Sequence, residues 1–157
     1  MVVVRKDGGE AGWPDGPEGL SDEGLLRRSV VALAKPKKEA KRILTDEQYW
    51  DLTGLVKRLE EFGNQQAMSD LDIRPFRQFW ELRVKGGFIR NLNLRVYFAY
   101  LEEQNEVVIL MAYKKEEDRR VSPHIHTILE DRLEDYLLGL ARGASVHLRH
   151  NCQRSDP

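Results

Sequence analysis

Hydrophobic and polar residues alternate with a period of two in the second half of the chain, which is typical of strands with one buried face. The alternation covers residues 79–85 and 94–100, while residues 107–112 are almost uninterruptedly apolar, as in a central strand. A polar hairpin loop at residues 102–105 separates the last two segments. The side chains on the apolar side of the first two segments are Trp80, Leu82, Val84, Leu94, Val96, Phe98 and Tyr100. The pattern predicts three consecutive antiparallel strands.

A period near 3.6 over residues 45–62 predicts an amphipathic helix before these strands. Thr45 followed three residues later by Gln48 fits a capping box at its start, and Gly63 is a favourable stop. The apolar positions at helical spacing are Tyr49, Leu52, Val56 and Leu59. We expect this helix to pack on the apolar side of the sheet, together with Ile109 and Leu110. Residues 35–44 are compatible with a preceding helical turn.

A second amphipathic helix is predicted near the C-terminus. Ser122 is a favourable N-cap and Pro123 a favourable first helical residue, because proline lacks the N–H that would be unpaired there. One face of the segment is apolar and consists of Ile125, Leu129, Leu133, Tyr136 or Leu137, and Leu140. We expect Gly143 to end the helix and residues 144–157 to form a frayed tail.

The N-terminal region has two parts. Residues 1–24 are rich in Gly, Pro and acidic residues, a composition that buries little apolar surface and predicts a flexible, disordered tail. Residues 25–34 fit either a first strand or a short helix, because the segment is too short for periodicity to decide. The predicted organisation is a tail at residues 1–24, one domain at residues 25–143, and the C-terminal tail.

Composition and charge narrow the class of protein. With 157 residues, 41% hydrophobic and 32% charged, the chain can bury a core, which excludes wholesale disorder and a membrane-spanning bundle. Cys152 is the single cysteine, and no apolar leader is visible at the start, so we expect a cytoplasmic protein without disulfides. The net charge of -1 conceals basic blocks at residues 29–44 and 73–100, so nucleic acid would be bound by a local patch.

The polar side of the predicted strands carries the candidate chemistry. It forms a cationic surface around one carboxylate and consists of Glu81, Arg83, Lys85, Arg95 and Tyr97, with Lys114 and Lys115 at the end of the third strand. Such a surface suits a phosphodiester, because guanidinium groups bind phosphate oxygens and stabilise charge that develops during reaction. The alternative is a solvated sheet face with cross-strand charge pairs. Because Arg95 points away from the core, we expect its substitution to leave the fold intact.

The histidines offer weaker signals. His124 and His126 are two residues apart, and His147 and His150 lie near Cys152, but helical geometry would separate the first pair by about 200°. We therefore predict no metal site and no cofactor. A single histidine acting as a proton donor beside the basic surface is better motivated, because an ordinary imidazole titrates near pH 6.5.

Several short motifs occur in a characteristic order: W-E-L-R at residues 80–83, R-V-Y-F at 95–98, V-I-L-M-A-Y-K-K at 108–115, and Asp135-Tyr136 in the last helix. In their order and spacing, residues 45–138 resemble the RelE/ParE toxin superfamily, in particular its HigB-like, phage-derived branch. The resemblance implies an α+β fold with an amphipathic helix or helical hairpin packed on a small curved antiparallel sheet, and a C-terminal helix. It also implies a metal-independent ribonuclease that cleaves messenger RNA at the ribosome and is inhibited by a cognate antitoxin.

The resemblance also implies roles for individual residues. Glu81 would accept the proton of the substrate 2'-OH, Arg95 and Lys115 would stabilise the phosphorane, and His124 or His126 would protonate the leaving oxygen. Arg83 matches a motif arginine and is a further candidate catalytic residue. The residues expected to bind RNA are Lys85, Tyr97, Lys114, Arg119 and Arg120. The alternatives are a catalytically silent binding or regulatory module on the same fold, and a gyrase-directed or phage-associated inhibitor.

Overall fold

The computed structural model describes residues 27–116 and 123–154, with side chains up to residue 142. The elements follow in the order β1 (Ser29–Ala32), α1 (Ala34–Ile43), α2 (Asp46–Lys57), a 3₁₀ turn (Arg58–Glu61), α3 (Gln65–Met68), β2 (Asp72–Phe76), β3 (Phe79–Lys85), a 3₁₀ turn (Gly87–Ile89), β4 (Asn93–Leu101), β5 (Glu106–Lys114) and α4 (His124–Arg154). Internal contacts divide the chain into two compact units, Met1–Arg120 and Val121–Pro157. The predicted α+β class is confirmed.

The sheet of the first unit has five strands in the order β1-β5-β4-β3-β2. The predicted antiparallel arrangement of β3, β4 and β5 is confirmed, and β2 adds a fourth antiparallel strand. The expectation of an entirely antiparallel sheet is wrong at one edge, because β1 pairs with β5 in parallel, with Ser29 opposite Glu106. The chain leaves this edge through α1, α2 and α3, which lead to β2 at the opposite edge, and β3, β4 and β5 then bring it back beside β1.

The hydrophobic core lies between one face of the sheet and the helical hairpin formed by α1 and α2. The strands contribute Leu82, Val84, Leu94, Val96, Phe98, Val107, Ile109 and Ala112, and the helical segments contribute Ala40, Leu44, Leu52 and Leu59. Phe62 is central, because its ring meets those of Trp80, Phe98 and Tyr100 edge-on at 5.1–5.8 Å. The predicted packing of the helix on the strands is confirmed.

One predicted core residue does not join this cluster. The register between β4 and β5 shifts at Tyr97/Phe98, because Tyr97 pairs with Met111 and Phe98 pairs with Ile109. Leu110 is the extra residue of this bulge. It is fully buried but is absent from the core cluster that contains Ile109.

Local signals explain how α2 begins and where its segment ends. The Thr45 side chain accepts a hydrogen bond from the Gln48 backbone N–H at 3.2 Å, and the Gln48 side chain accepts one from the Thr45 N–H at 3.0 Å. This is the predicted capping box. Gly63 has a φ of 97°, a left-handed conformation that glycine adopts without a steric penalty, and it terminates the segment as expected.

A buried polar cluster holds the start of β1 against the rest of the first unit. The Arg27 guanidinium pairs with Glu60 at 2.9 Å, and the Arg28 backbone N–H donates to the Glu60 carbonyl at 2.7 Å. The Arg28 guanidinium lies 4.8 Å from the centre of the Tyr100 ring. The Asn105 side chain donates to the Arg27 carbonyl at 3.4 Å. These contacts connect β1 to the 3₁₀ turn after α2 and to the β4–β5 loop.

The second unit contains α4. The helix does not end at Gly143 as predicted but continues to Arg154. A single glycine inside a helix costs only about 1 kcal/mol relative to alanine, and the neighbouring Leu, Ala and Arg residues are good helix formers. In the part of the chain that the structure describes, no helix combines the length and the apolar character needed to cross a membrane. The predicted tail at residues 1–24 and the predicted N-cap Ser122 lie outside the residues that the structure describes.

Candidate anion-binding face of the sheet

The strand pairing brings the predicted site residues together on the sheet face opposite the hydrophobic core. Glu81 lies opposite Tyr97, and Arg83 lies opposite Arg95, on the adjacent strands β3 and β4. We call the surface formed by Glu81, Arg83, Lys85, Arg95, Tyr97 and Lys115 the polar face. Its residues share one side because alternate residues of a strand point the same way and the register between β3 and β4 is regular here.

Glu81 is held between two guanidinium groups. The Arg83 Nε donates a hydrogen bond to Glu81 Oε1 at 2.5 Å, and Arg95 Nη1 lies 3.7 Å from the same oxygen. Glu81 and Arg95 are only 4% and 6% exposed. Two like charges directly opposite each other on neighbouring strands would repel, so the carboxylate offsets that repulsion. The three side chains together retain one excess positive charge.

The burial of Arg95 changes the expectation for its substitution. Arg95 points away from the apolar core, as predicted, but it is buried beside a carboxylate rather than exposed to solvent. Removing one member of a buried charge cluster leaves the others without compensation. Charge reversal at Arg95 should therefore destabilise the fold, contrary to the prediction from the sequence, because Arg95→Glu would place two carboxylates side by side.

Tyr97 lies in the same buried region. Its ring is fully buried and packs against Phe76 of β2 at 5.1 Å between ring centres. Burial first, and then the negative charge of Glu81, raise the pKa of the Tyr97 hydroxyl well above its ordinary value. The hydroxyl is close to the Glu81 carboxylate, but it forms no hydrogen bond of normal geometry with any described residue. Tyr97 is consequently a neutral donor at physiological pH.

Two further polar atoms of this region are buried and unpaired. Arg95 Nε and Asn93 Oδ1, like the Tyr97 hydroxyl, find no hydrogen-bond partner among the residues that the structure describes. Buried polar groups are ordinarily satisfied, and leaving a donor unpaired costs about 1–3 kcal/mol. Arg95 Nε and the Tyr97 hydroxyl both lack an acceptor. An anionic oxygen of a ligand would supply the missing acceptor.

The lysines divide between the two faces of the sheet. Lys85 pairs with Asn93, and the Lys115 backbone N–H donates to the Asn93 carbonyl at 2.8 Å, so both lysines share a row with Asn93 at the end of the polar face. Lys114 pairs with Leu94 of the core cluster. Its predicted place on the cationic surface is wrong, because consecutive residues of a strand point to opposite faces.

The remaining predicted residues are not brought to the polar face by the described structure. Arg119 and Arg120 lie beyond the described part of the first unit. His124 and His126 belong to the second unit, at the start of α4, where His126 Nδ1 lies 3.0 Å from Glu130 Oε1 one turn later. Across the described side chains, no three His, Cys, Asp or Glu residues form a group that could hold a metal ion.

β2 also contributes to this surface, which the sequence pattern did not predict. Asp72 pairs with Arg83, and Arg74 pairs with Glu81, so each lies beside a predicted site residue. The Arg74 Nε donates to Asp72 Oδ1 at 2.9 Å. The signal available in the sequence was the alternation of Asp72, Arg74 and Phe76 with Ile73 and Pro75, which is short and interrupted by proline.

No protein-family model matches the chain, and no curated protein matches it.

Proposed function

We propose that this chain is a metal-independent endoribonuclease of the toxin type, acting in the cytoplasm on messenger RNA and inhibited by a cognate antitoxin. The observation that supports the proposal is the convergence of Glu81, Arg83 and Arg95 with two buried, unpaired donors, Arg95 Nε and the Tyr97 hydroxyl. The motif resemblance of residues 45–138 supplies the reaction class. A phosphodiester provides the anionic oxygens that these donors lack.

In the proposed reaction the 2'-OH of the RNA attacks the adjacent phosphate. Its proton passes to Glu81, and the bond to the 5' oxygen of the next nucleotide breaks, leaving a cyclic phosphate. Arg83, Arg95 and Lys115 stabilise the charge on the phosphorane, and Tyr97, kept neutral by its raised pKa, adds no negative charge beside them. A water molecule supplies the proton that the leaving oxygen takes up. Lys85, at the exposed end of the polar face, binds the neighbouring phosphate.

A silent RNA-binding module is the second candidate, and one observation favours it. Glu81 accepts a hydrogen bond from Arg83 and lies beside Arg95, so its carboxylate already has partners within the protein. A carboxylate engaged in this way is poorly placed to accept a proton from a substrate hydroxyl. The same cluster without proton transfer would bind a phosphate and leave it intact.

The test compares cleavage and binding of RNA by the same proteins. We expect wild type to cleave RNA in the presence of EDTA and to leave a substrate with a 2'-deoxy sugar at the scissile position intact. Arg83→Ala and Lys115→Ala should each reduce the cleavage rate about 10²- to 10³-fold, the usual effect of losing one preorganised donor. Lys57→Ala, at an exposed lysine of α2 away from the polar face, is the matched control.

Two outcomes separate the candidates. Glu81→Gln should bind RNA but not cleave it if the chain is a ribonuclease. If wild type binds RNA and cleaves none, the binding module is correct. Loss of cleavage on adding EDTA, or full activity of Arg83→Ala, would contradict the proposed chemistry.

A further inference from the structure

An apolar cavity lies between the helical hairpin and the core face of the sheet, away from the polar face. Its volume is about 100 Å³. The lining comes from β1, α1, α2, β4 and β5 and consists of Ala32, Pro36, Lys37, Ala40, Tyr49, Leu52, Thr53, Val56, Val96, Ile109 and Ala112. Lys37 and Thr53 are exposed, so the cavity opens between α1 and α2.

The surface around this opening is strongly cationic. The exposed side chains of α1 include five positive charges, Lys35, Lys37, Lys38, Lys41 and Arg42. The only carboxylate of α1 belongs to Glu39, which accepts a hydrogen bond from the Ala112 backbone N–H at 3.2 Å. The Lys41 ammonium lies 5.2 Å from the centre of the Tyr49 ring, a residue that also lines the cavity. The apolar cavity thus opens beside the positive side chains of α1.

The chain contains a segment with complementary chemistry, outside the described residues. Residues 8–24 carry five carboxylates and no lysine or arginine. The apolar side chains among them that could fill a cavity are Trp13 and Leu20. The cavity is smaller than the roughly 150 Å³ engineered cavity that accommodates benzene, so it suits an aliphatic side chain better than an indole ring.

We propose that residues 8–24 bind the surface formed by α1 and α2, with the Leu20 side chain in the cavity and the carboxylates beside the α1 cations. Seven positions separate Leu20 from Arg27, the first described residue, and an extended chain of that length spans up to about 25 Å. The connection therefore permits Leu20 to reach a cavity whose wall includes Ala32. Covalent connection supplies an effective concentration of about a millimolar, so weak contacts suffice.

The experiment uses the full chain with a nitroxide spin label near Leu20. A Ser21→Cys substitution in a Cys152→Ser background provides one labelling site, and broadening of backbone amide resonances reports which residues the label approaches. We expect the amides of Ala40 and Thr53 to lose most of their intensity at low salt. The intensity should return at about 1 M NaCl, where the Debye length is about 3 Å.

Matched variants test the two parts of the contact. Lys37→Glu with Lys41→Glu should abolish the broadening, because both lysines are exposed, Lys37 lines the cavity and Lys41 lies against the lining residue Tyr49. Lys57→Glu makes one charge reversal on α2 away from the cavity lining and should leave it unchanged. Leu20→Asp should also abolish it. Lys37, Lys41 and Lys57 are exposed, and the amide spectrum of each variant checks that the fold persists.

Four results would overturn the proposal. The first is absence of broadening at low salt. The second is broadening that disappears when labelled chain is mixed with excess unlabelled chain, which would assign the surface to a segment from a second copy. The third is broadening that is unaffected by the α1 charge reversals. RNA or an acidic partner protein that binds α1 without displacing the label would likewise exclude the segment as occupant. None of these results depends on ribonuclease activity.

Discussion

On the face of the sheet that meets α1 and α2, Val96 and Phe98 are buried among apolar side chains, whereas on the opposite face Arg95 and Tyr97 are buried beside Glu81. The same strand supplies both sets. Burial on the first face stabilises the fold in proportion to the apolar area removed from water. Burial on the second is favourable only while each charge retains its partner, because an unpaired buried charge is costly. Equal burial therefore implies different sensitivity to substitution.

The largest expected effect is on the apolar face. Phe98→Ala should lower the free energy of unfolding by about 3–5 kcal/mol, because it leaves a cavity where the ring now meets Phe62. Phe76→Ala removes the same side chain from the half-buried edge strand of the other face and should cost less than half as much. Urea denaturation measures both. Equal losses would show that the two faces do not differ in packing.

On the polar face, the loss of stability should depend on whether a buried charge keeps its ion-pair partner, rather than on the apolar area removed. Arg95→Met leaves Glu81 paired with Arg83 alone, and we expect a loss of about 1–3 kcal/mol in the free energy of unfolding, the usual cost when a buried group loses a partner. Adding Glu81→Gln to the same chain should recover about 1 kcal/mol or more of that loss. A double-mutant cycle by urea denaturation measures this coupling. Strict additivity would mean that the pair contributes no net interaction.

The smallest effect concerns Tyr97 and appears only at high pH. Because burial raises the pKa of Tyr97 above the ordinary value of 10.0, the unfolded chain releases this proton at a lower pH than the folded chain. The free energy of unfolding should therefore fall as pH rises above about 10. Tyr97→Phe should make this decline shallower while changing stability little at neutral pH. Denaturation at several pH values measures the slope, and identical slopes would show that Tyr97 does not contribute.

The sequence predicted the parts of the fold that depend on local signals. The capping box of Thr45 and the strand Phe79–Lys85 follow from neighbouring residues and were placed correctly. β2 was missed because Pro75 and charged residues interrupt its alternation, which an edge strand tolerates. β1 was left open because four residues carry no periodicity, and only pairing with a distant strand selects its conformation.

The candidate site was likewise predictable where it depends on strand alternation. Alternation alone places Glu81, Arg83, Arg95 and Tyr97 on one face, and the pairing of β3 with β4 brings them together. Alternation should also have excluded Lys114, which directly precedes Lys115. The burial of Arg95 could not be predicted, because it depends on how completely the tertiary structure covers the polar face rather than on the strand pattern.

The parallel pairing of β1 with β5 also sets the order in which the chain can fold. β1 leaves the ribosome early, but its partner begins at Glu106, so synthesis at about 5–20 residues per second delays the pairing by roughly 4–15 s. The β3–β4 and β4–β5 hairpins join neighbouring segments and can form as soon as each strand emerges. Closing the long loop between β1 and β5 carries the larger entropic cost, which slows folding. β1 should therefore be the last strand to join the sheet during translation.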